Sequence, residues 1–471
     1  MQSRNNGFYS VMDFDDESRL RNVFWADGRS RASYESFGDV VTFDTTYLTN
    51  KYGMPFAPFV GVNHHGQSIL FGAGLLSSED TNNFVWLFQT WLECMKGRAP
   101  GAIITDQDRA MKKAIAIVFP TTRHRYCIWH ILKKIPEKFR AHLQYDDIKS
   151  ALRRCVYESQ SCDEFEAGWQ TLLESYNLKD NDWLRGLYNE RTFWVPCYLK
   201  DVFWAGMRST QWSESMNAFF DGYVRPSTTL KQFVDQYDNA LRKKVENEAF
   251  ADFSSFNSTL PCVTFYSYEK KFQQLYTIAK FKEVQEEILG KMFCNVFILA
   301  KEGAICTHKV VEQVPIHENF VKEVEFVVYL NGDKDELEVK CSCGSFETRG
   351  ILCKHAISVL SLHKITSLPS KYFLDRWRKD LKRKYTFIKS SYNSLSGDPT
   401  AERYDILCKD MIELAEIAAP NLDHFTKLRK HVDMLKRNSM VQAVNLVHLP
   451  SHFQALHLQH VMNPLMAMVW W

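Results

Sequence analysis

The sequence lacks any apolar run long enough to cross a membrane. No hydrophobic stretch approaches the roughly 18 residues that a transmembrane helix needs, and the first residues carry several acids where a signal peptide has its apolar segment. Excess charge is lacking too, because 58 Lys and Arg oppose 56 Asp and Glu and leave a net charge of +2. We therefore expect no membrane partner, and any contact with nucleic acid must come from local basic patches.

Cysteine is present, but it lacks the even spacing of a disulfide framework. The 12 Cys are scattered along 471 residues, a distribution that predicts free thiols in a reducing, intracellular compartment. Hydrophobic residues make up 45% of the chain. That share is enough for extended cores, and the length predicts about three domains.

Two short predicted strands are each followed by an acid. Asp44 follows the apolar, β-branched run Val40–Phe43, and Asp106 follows a similar run over Ala102–Thr105. Acids at the ends of neighbouring strands meet at one rim of a sheet, where a third acid from a helix would complete a cage of oxygen ligands for Mg²⁺. Two such ions clamp the attacking and leaving oxygens of a phosphodiester. The alternative is that either Asp simply forms a turn.

A third acid, Glu214, follows Ser213, which is a good helix cap. Taken alone, a Glu in the first turn of a helix usually compensates the helix dipole. Upstream of it, the pattern predicts strands joined by hairpins, a helix, the second acid strand and a Trp- and Leu-rich helical insertion at about 131–200. This order is that of an RNase H-like fold, a mixed α/β sheet.

Two pairs of potential metal ligands have more than one interpretation. His64 and His65 precede Gly66 in a predicted hairpin turn, and we favour turn residues over a metal site because no Cys or acid lies nearby in sequence. Cys127 and His130 are three residues apart and can share one helix face. A packed helix start is the favoured interpretation of that pair, and a metal site is the alternative.

Four zinc-type ligands stand in two close pairs separated by nine residues: Cys341, Cys343, Cys353 and His355. Alternating residues over 323–330 and 336–340 predict a hairpin that ends at the first pair, and 354–362 predicts a helix whose first turn holds His355. Because protein fills all four positions, the predicted Zn²⁺ is structural, and this unit should lose its fold without it. The alternative is a coincidental cluster of thiols in a buried loop.

The region beyond the predicted finger is basic and then helical. Residues 371–389 hold eight Lys and Arg against two Asp, a local charge of +6. Such a stretch contacts phosphates or serves in nuclear import, unless it is only a solvated helix face. Two heptad-like stripes follow, at 404–414 and 425–435, and they predict a helical hairpin or a dimer seam.

The motifs around the acids together resemble those of Mutator-like element transposases. These motifs are FDTTY with Asp44, TDQD with Asp106, CIWH with Cys127 and His130, and SESMNAFF with Glu214. Residues 24–66 more closely resemble the far-red impaired response family, plant nuclear regulators domesticated from such transposases. The resemblance runs from about Phe8 to about Asp380, and the Cys and His pairs resemble the SWIM zinc finger that this family carries after its transposase core.

The resemblance implies roles for the acids and partners for the chain. Asp44, Asp106 and Glu214 correspond to the acidic triad of the transposases, with Mg²⁺ as its ion, and the SWIM finger implies structural Zn²⁺. The implied partners are DNA, transcription-related proteins and other family members in homo- or hetero-oligomers, and the implied location is the nucleus.

The chain departs from the family in two respects. Trp212 stands where the family leads us to expect Arg, and losing a cation beside the acids weakens the case for catalysis. The chain also begins where the family's N-terminal DNA-binding zinc module should already have ended, which predicts a truncated or alternative product.

The patterns and the resemblance together predict five regions. Residues 1–36 form an N-terminal hairpin and lead-in, 37–240 the transposase domain with its insertion, 241–322 a helical and strand connector, 323–365 the SWIM finger, and 366–471 a basic and helical C-terminal region. The favoured function is a non-enzymatic nuclear transcription regulator of light-responsive development, derived from a transposase. The alternatives are an active transposase with two Mg²⁺ ions, and a truncated partner that blunts full-length relatives.

Overall fold

The computed structural model of the chain describes residues 7–46, 50–207, 220, 227–317, 320–333, 336–381, 383, 407, 410–411, 414–415, 417–418 and 420–447. The chain divides into two compact units, Met1–Ser391 and Tyr392–Trp471. All of the predicted site residues that the structure describes belong to the first unit.

Seven strands of the first unit form one mixed sheet. They are β1 (Tyr9–Phe14), β2 (Leu20–Ala26), β3 (Val40–Phe43), β4 (Phe56–Val62), β5 (Ser68–Leu75), β6 (Ala102–Thr105) and β7 (Arg123–Tyr126). Their order is β1-β2-β5-β4-β3-β6-β7, with antiparallel neighbours as far as β3 and parallel pairs between β3 and β6 and between β6 and β7. The β1–β2 and β4–β5 hairpins that the sequence predicts are confirmed.

Three helices of this sheet region begin at an Asp. Asp27, Asp80 and Asp108 cap α1 (Gly28–Phe37), α2 (Thr81–Cys94) and α3 (Arg109–Val118), and each accepts a hydrogen bond from the backbone N–H three residues further on. The sequence patterns predict α2 and α3 but not α1. The buried positions of α1 include Gly28 and Ser30, so no apolar stripe marks it.

Aromatic side chains fill the space between α1, α2 and the sheet. The ring of Trp91 in α2 stacks on Phe59 of β4, with centroids 4.6 Å apart and planes 6° apart. Tyr34 of α1 meets the same Trp91 edge to face at 5.0 Å. This packing holds one face of the sheet rigid, which matters because the acid-bearing strand ends belong to the same sheet.

A helical insertion follows β7, as the Trp- and Leu-rich pattern predicts. Its helices are α4 (Ile128–Lys133), α5 (Ile135–Phe139), α6 (Tyr145–Glu158), α7 (Cys162–Ser175) and α8 (Asp182–Asn189). They enclose a hydrophobic core of their own, in which Trp169 and Trp194 are almost fully buried.

A long helix, α9 (Leu230–Asn257), covers the other face of the sheet. Thr229 and Gln232 form a reciprocal capping box at its start. Phe233 and Tyr237 contact the ring of Trp25 at 5.9 and 5.4 Å. Because Phe24 packs with the α1 and α2 layer, the neighbouring Trp25 must point to the opposite face.

A second, four-stranded sheet follows α10 (Ser267–Leu275) and α11 (Ile278–Gly290). Its strands are β8 (Cys294–Glu302), β9 (Ile305–His317), β10 (Phe320–Asn331) and β11 (Glu338–Cys341), all antiparallel in the order β11-β10-β9-β8. The predicted hairpin of β10 and β11 is confirmed. The sheet also includes β8 and β9, so it begins well before residue 323.

Two short helices complete the region of the Cys and His pairs. They are α12 (Ser345–Arg349) and α13 (Lys354–Leu362), and α13 matches its predicted bounds. One hydrophobic cluster continues from β3 and β6 through α11 to β11 and α13. The four-stranded sheet therefore shares a hydrophobic core with the seven-stranded sheet of the same unit.

The basic stretch after α13 is not a solvated helix face over its described part. Residues 370–377 form two short 3₁₀ turns, and the side chain of Arg376 is 8% exposed and lies 3.1 Å from the carboxylate of Asp39. Residue 382 and residues 384–389 of this stretch lie outside the described residues. At least one of its cations is thus used inside the fold.

The second unit contains a long helix, α14 (Leu422–Val447). It carries part of the second predicted heptad stripe, whose Phe425 and Leu435 are exposed. Leu407, Met411 and Leu414 of the first stripe are helical and exposed as well, whereas Tyr404 lies outside the described residues. Within the described part of the chain, no helix is long and apolar enough to span a membrane.

Candidate metal centre and acidic strand edge

The first two predicted acids lie at the same edge of the large sheet. Strands β3 and β6 are parallel neighbours in which Val40 pairs with Ala102 and Thr42 with Ile104. The same offset, continued past the two strand ends, sets Asp44 beside Asp106. Two carboxylates thus share one rim, as expected for acids at the carboxyl ends of neighbouring parallel strands.

The two acids differ in their surroundings. Oδ1 of Asp106 is buried and has no hydrogen-bond partner among the described residues. Asp44 accepts a hydrogen bond at 3.0 Å from the backbone N–H of Thr45, whose hydroxyl donates to Glu79. A buried carboxylate oxygen without a donor is costly, and a bound cation would offset that cost.

The Cys127 and His130 motif lies at the same rim. Cys127 is buried at the start of α4, and His130 is half-buried one turn later. Burial lowers the pKa of His130, but the Cys127 side chain and the carboxylates of Asp44 and Asp106 raise that pKa by more. The motif that looked like a packed helix start is therefore also an electrostatic neighbour of both acids.

The third predicted acid, Glu214, lies outside the described residues, as does Trp212. The acidic triad thus stays a prediction at its third position.

The zinc-type ligands converge at the junction of β11 and α13. Cys341 ends β11, Cys343 follows in the turn, Cys353 precedes α13 and His355 lies in its first turn. Their four donor atoms all lie within 4.8 Å of one another. Sγ of Cys341 lies 3.5 Å from Nδ1 of His355.

Backbone geometry prepares these thiols for a cation. The backbone N–H of Cys343 points at Sγ of Cys341 at 3.5 Å, and the N–H of Ala356 points at Sγ of Cys353 at 3.4 Å. The hydrogen bonds among the three thiols lower the pKa of Cys343 far below its usual range and raise the pKa values of Cys341 and Cys353, so one thiolate forms most readily. Donors aimed at sulfur favour the thiolate, which is the form that binds a metal.

Two further residues hold the imidazole of His355 in place. Nε2 of His355 lies 2.9 Å from Oε2 of Glu312, and the same carboxylate accepts a hydrogen bond from Nζ of Lys354. The ring of Phe326 stacks on His355 at 3.8 Å. A carboxylate on Nε2 leaves Nδ1 as the ligand atom and makes it more basic.

Sequence reasoning missed Glu312 and Phe326. Glu312 lies on β9, 43 residues before His355, and Phe326 lies on β10. No spacing rule links them to the motif, because only the pairing of β9, β10 and β11 brings them to α13. The one sequence feature that could have indicated a partner for His355 is a Glu within the alternating strand β9.

Three sulfurs and one imidazole nitrogen suit tetrahedral Zn²⁺. Protein atoms supply all four positions, and the histidine has the carboxylate partner that zinc-binding imidazoles usually have. The donor set therefore fits a structural zinc ion with no position left for reactive water.

The pair His64 and His65 lies in the β4–β5 turn, and both side chains are buried. Both residues lie in a turn, as the sequence predicts. The argument that no acid lies nearby fails in three dimensions, because α9 brings Asp252 to within 3.0 Å of both rings. Burial lowers the pKa of His64 to about 4, although its hydrogen bond to Asp252 opposes that shift.

Comparisons with known proteins agree with this architecture. Residues 40–134 match the MULE transposase domain, which spans the acidic rim and the Cys127 and His130 motif. Residues 326–364 match the SWIM zinc finger, which spans all four zinc-type ligands.

Curated proteins of Arabidopsis thaliana resemble most of the chain. Protein FAR1-RELATED SEQUENCE 5 is 42% identical over 81% of this chain and 48% of its own length, and protein FAR-RED IMPAIRED RESPONSE 1 is 36% identical over 93% and 52%. The chain spans about half the length of these two relatives. Protein FAR1-RELATED SEQUENCE 9 is 38% identical over 81% of this chain and 68% of its own length.

The relatives match 81–93% of the chain, and the two matched domains stand in one chain. The chain therefore belongs to the far-red impaired response family and carries both a MULE transposase domain and a SWIM zinc finger.

Proposed function

We propose that this chain is a transposase-derived transcription regulator of the nucleus, one that acts through DNA and protein contacts and not through catalysis. The observation that carries the proposal is its membership of the far-red impaired response family over most of its length. The name of one relative, FAR-RED IMPAIRED RESPONSE 1, supports a role in light-responsive development.

The transposase-derived part is, in this proposal, an RNase H-like core. Its support is the strand order β5-β4-β3-β6-β7. In this order β5, β4 and β3 are antiparallel neighbours, and β6 and β7 run parallel to β3. Two acids at the ends of β3 and β6 suit that core. The family's inherited triad of Asp44, Asp106 and Glu214 then serves as a scaffold.

The second candidate function is an active transposase with Mg²⁺ at the triad. The orphaned Oδ1 of Asp106 favours it, since a buried oxygen of this kind is suited to a cation. Against it stands Trp212, which replaces the cation expected beside Glu214.

Strand cleavage and strand transfer by the purified chain in Mg²⁺ and Mn²⁺ separate the two candidates. We expect no activity from folded, zinc-loaded protein, and Asp44→Asn should leave DNA occupancy intact wherever the fold is intact. Activity that Asp106→Asn abolishes would establish the transposase instead. Asp146→Asn, a change of the same kind at an exposed position of α6, is the matched control.

The SWIM finger supplies a structural zinc site in this proposal. Cys353→Ser should remove one equivalent of bound Zn²⁺ and melt the sheet and helix around it, because the metal's binding energy is part of the folding energy. Zinc stoichiometry is measured by elemental analysis of the purified chain. Cys262→Ser, at a half-buried thiol outside the ligand cluster, should bind as much zinc as the wild type.

Other family members are the proposed protein partners. Strand β8 is the edge of the second sheet, and Phe297, Ile298 and Leu299 in its middle are all more than half exposed. An exposed apolar edge strand is suited to pairing with another chain.

A further inference from the structure

A second cluster of metal-type ligands lies far from the SWIM finger. His64 and His65 belong to the turn between β4 and β5, and Asp252 belongs to α9. One donor atom from each lies within 4.8 Å of the other two. Apart from the SWIM ligands, this is the one such group of at least three residues in the described part of the chain.

The three donor atoms converge on one point. Nε2 of His64 and Nε2 of His65 lie 3.0 and 2.8 Å from the same oxygen, Oδ1 of Asp252. Ligands of a tetrahedral zinc ion are about 3.3 Å apart, given bonds of roughly 2.0–2.1 Å. A shift of a few tenths of an ångström therefore opens the cluster enough to admit an ion.

The turn holds both rings in this arrangement before any ion binds. Oδ1 of Asn63 accepts hydrogen bonds from the backbone N–H groups of His65 and Gln67 at 3.0 and 2.9 Å. The Thr277 hydroxyl donates to the carbonyl of His64 at 2.8 Å. Preorganised ligands of this kind pay little conformational entropy on binding a metal.

Packing fixes the ring of His64, and the carboxylate of Asp252 fixes the position of its proton. Phe37 stacks on that ring with centroids 5.5 Å apart and planes 11° apart. Nδ1 of His64 is buried and has no hydrogen-bond partner among the described residues. The carboxylate of Asp252 can only accept, so Nε2 of His64 carries the proton in the ion-free chain. An ion that binds at Nε2 displaces this proton, and the neutral imidazole then carries its hydrogen at Nδ1.

The carboxylate of Asp252 is oriented as metal-binding carboxylates are. Its Oδ1 faces the two imidazoles, while Oδ2 accepts a hydrogen bond from Arg383. Arg383 also pairs with Glu248, one turn earlier on α9, and Glu248 pairs with Arg29 at 2.6 Å. The two arginines balance the two acids, so the outer partners position Asp252 without leaving a net charge.

We propose that His64, His65 and Asp252 bind a divalent transition-metal ion, with Zn²⁺ as its natural occupant. Two imidazoles and one carboxylate suit a borderline ion of this class and not Mg²⁺ or Ca²⁺, which prefer oxygen. The side chains of His64 and His65 are 0% and 3% exposed and that of Asp252 is 17% exposed, so water reaches the remaining position from the Asp252 side. The ion ties the β4–β5 turn to α9.

Metal content of the purified chain tests this site separately from the SWIM finger. After loading with Zn²⁺ and dialysis against metal-free buffer, the wild type should hold two equivalents. Cys353→Ser should retain one, and so should Asp252→Asn. A wild type with a single equivalent, all of it lost in Cys353→Ser, would overturn the second site and leave the finger standing.

Cobalt distinguishes which ion is lost. Only the finger offers sulfur, so its Co²⁺ form has thiolate-to-cobalt absorption in the near ultraviolet, which the His64 site lacks. Asp252→Asn should keep that absorption while losing one cobalt. Loss of the absorption together with both ions, or retention of both ions, would contradict the assignment.

Two further variants guard against a simple failure to fold. His65→Gln removes one ligand but keeps the pair between Asp252 and Arg383, and it should also lose one equivalent. Asp235→Asn, the same change as Asp252→Asn at an exposed position of α9, should keep both. Far-ultraviolet circular dichroism establishes that each variant is folded, and a folded His65→Gln that still holds two ions would refute the proposal.

Discussion

Glu312 is outside the Cys and His motif, yet its carboxylate is the partner of the zinc-type ligand His355 at 2.9 Å. The same group takes a hydrogen bond from Lys354, so burial, which raises the pKa of Glu312, is outweighed and its pKa is lowered. An ionised Glu312 therefore stands behind the imidazole at neutral pH and orients it.

Glu312→Gln should weaken zinc binding by about 10–100-fold, because the amide orients the imidazole but supplies no charge. Chelator competition on the purified chain measures the affinity. Glu325→Gln is the matched control, since Glu325 lies on the neighbouring strand and pairs with Lys309 while remaining largely exposed. Equal affinities of Glu312→Gln and the wild type would show that Glu312 does not act on the metal.

Asp238 on α9 is an acid whose surroundings disfavour its charge. Burial, and then the carboxylates of Asp27 and Asp235, raise the pKa of Asp238 from 3.8 to about 6. The folded chain therefore holds a proton that the unfolded chain releases between about pH 4 and 6. Stability falls as pH rises through that window, and the full penalty is present above pH 6.

Asp238→Asn should stabilise the chain at pH 7.5, because the amide removes the buried charge. The expected gain is about 1 kcal/mol once the exposed part of the side chain is discounted for solvent screening. The gain should shrink to nothing near pH 4, where Asp238 of the wild type is already neutral in the folded chain. Thermal melts across pH 4–8 measure the gain in stability. A gain that does not change with pH would show that the buried charge of Asp238 is not its cause.

Among the elements, the segment between β11 and α13 depends on glycine at two positions. Gly344 and Gly350 flank α12 with φ of 64° and 73°, in the left-handed region that other residues rarely adopt. At Gly350 an added Cβ would also lie 2.2 Å from Cδ1 of Leu374 and 3.0 Å from Nε1 of Trp377. Backbone and packing therefore both require glycine there.

Gly350→Ala should destabilise the finger by about 1–3 kcal/mol and speed its loss of zinc to a chelator. Gly303→Ala is the matched control, because Gly303 has a similar φ of 61° but nothing within 4 Å of an added Cβ. Equal losses in the two variants would mean that backbone conformation alone matters and that the contacts with Leu374 and Trp377 do not.

The helices also differ in how clearly the local sequence predicts them. The α2 and α3 helices have an Asp cap and a clear apolar stripe, and their positions follow from local pattern. Helix α1 has the cap but buries Gly28 and Ser30 beside Tyr34 and Phe37, so hydrophobicity alone does not mark it. Small residues at a close helix–sheet contact are a tertiary requirement that a periodicity argument cannot detect.

At the scale of the whole first unit, the finger is not a separate body. Lys200, which follows the helical insertion, contacts the finger: its Nζ donates a hydrogen bond to the carbonyl of Ser342 at 2.7 Å. Trp204 and Trp377 also bond to its backbone, at Thr348 and Arg349. Loss of zinc should therefore loosen the shared core and not only the ligand loop.

The exposed edge of the second sheet bears on how copies of the chain meet. Leu299→Glu should weaken self-association at least several-fold, since a charge on an apolar edge strand opposes pairing. Sedimentation velocity over a range of concentrations measures the effect. Val263→Glu introduces the same charge at another exposed apolar residue outside the sheet, and a matching loss there would point to general solubility and not to β8.

The sequence alone determined the strands that carry Asp44 and Asp106, the four zinc-type ligands and most of the helices. These features depend on residues close together in the chain, where spacing, alternation and caps act directly on local structure. Even the meeting of the two acids follows from two similar strands, each ending on an Asp.

Only the tertiary structure decided which distant side chains support those sites. Glu312 reaches His355 across 43 residues, and Asp252 reaches His64 across 188. Arg376, which belongs to a stretch that looks like a solvated basic face, is instead buried against Asp39. Such partners are selected by strand pairing and helix packing over the whole core, and no local pattern encodes which distant residue will fill a given space.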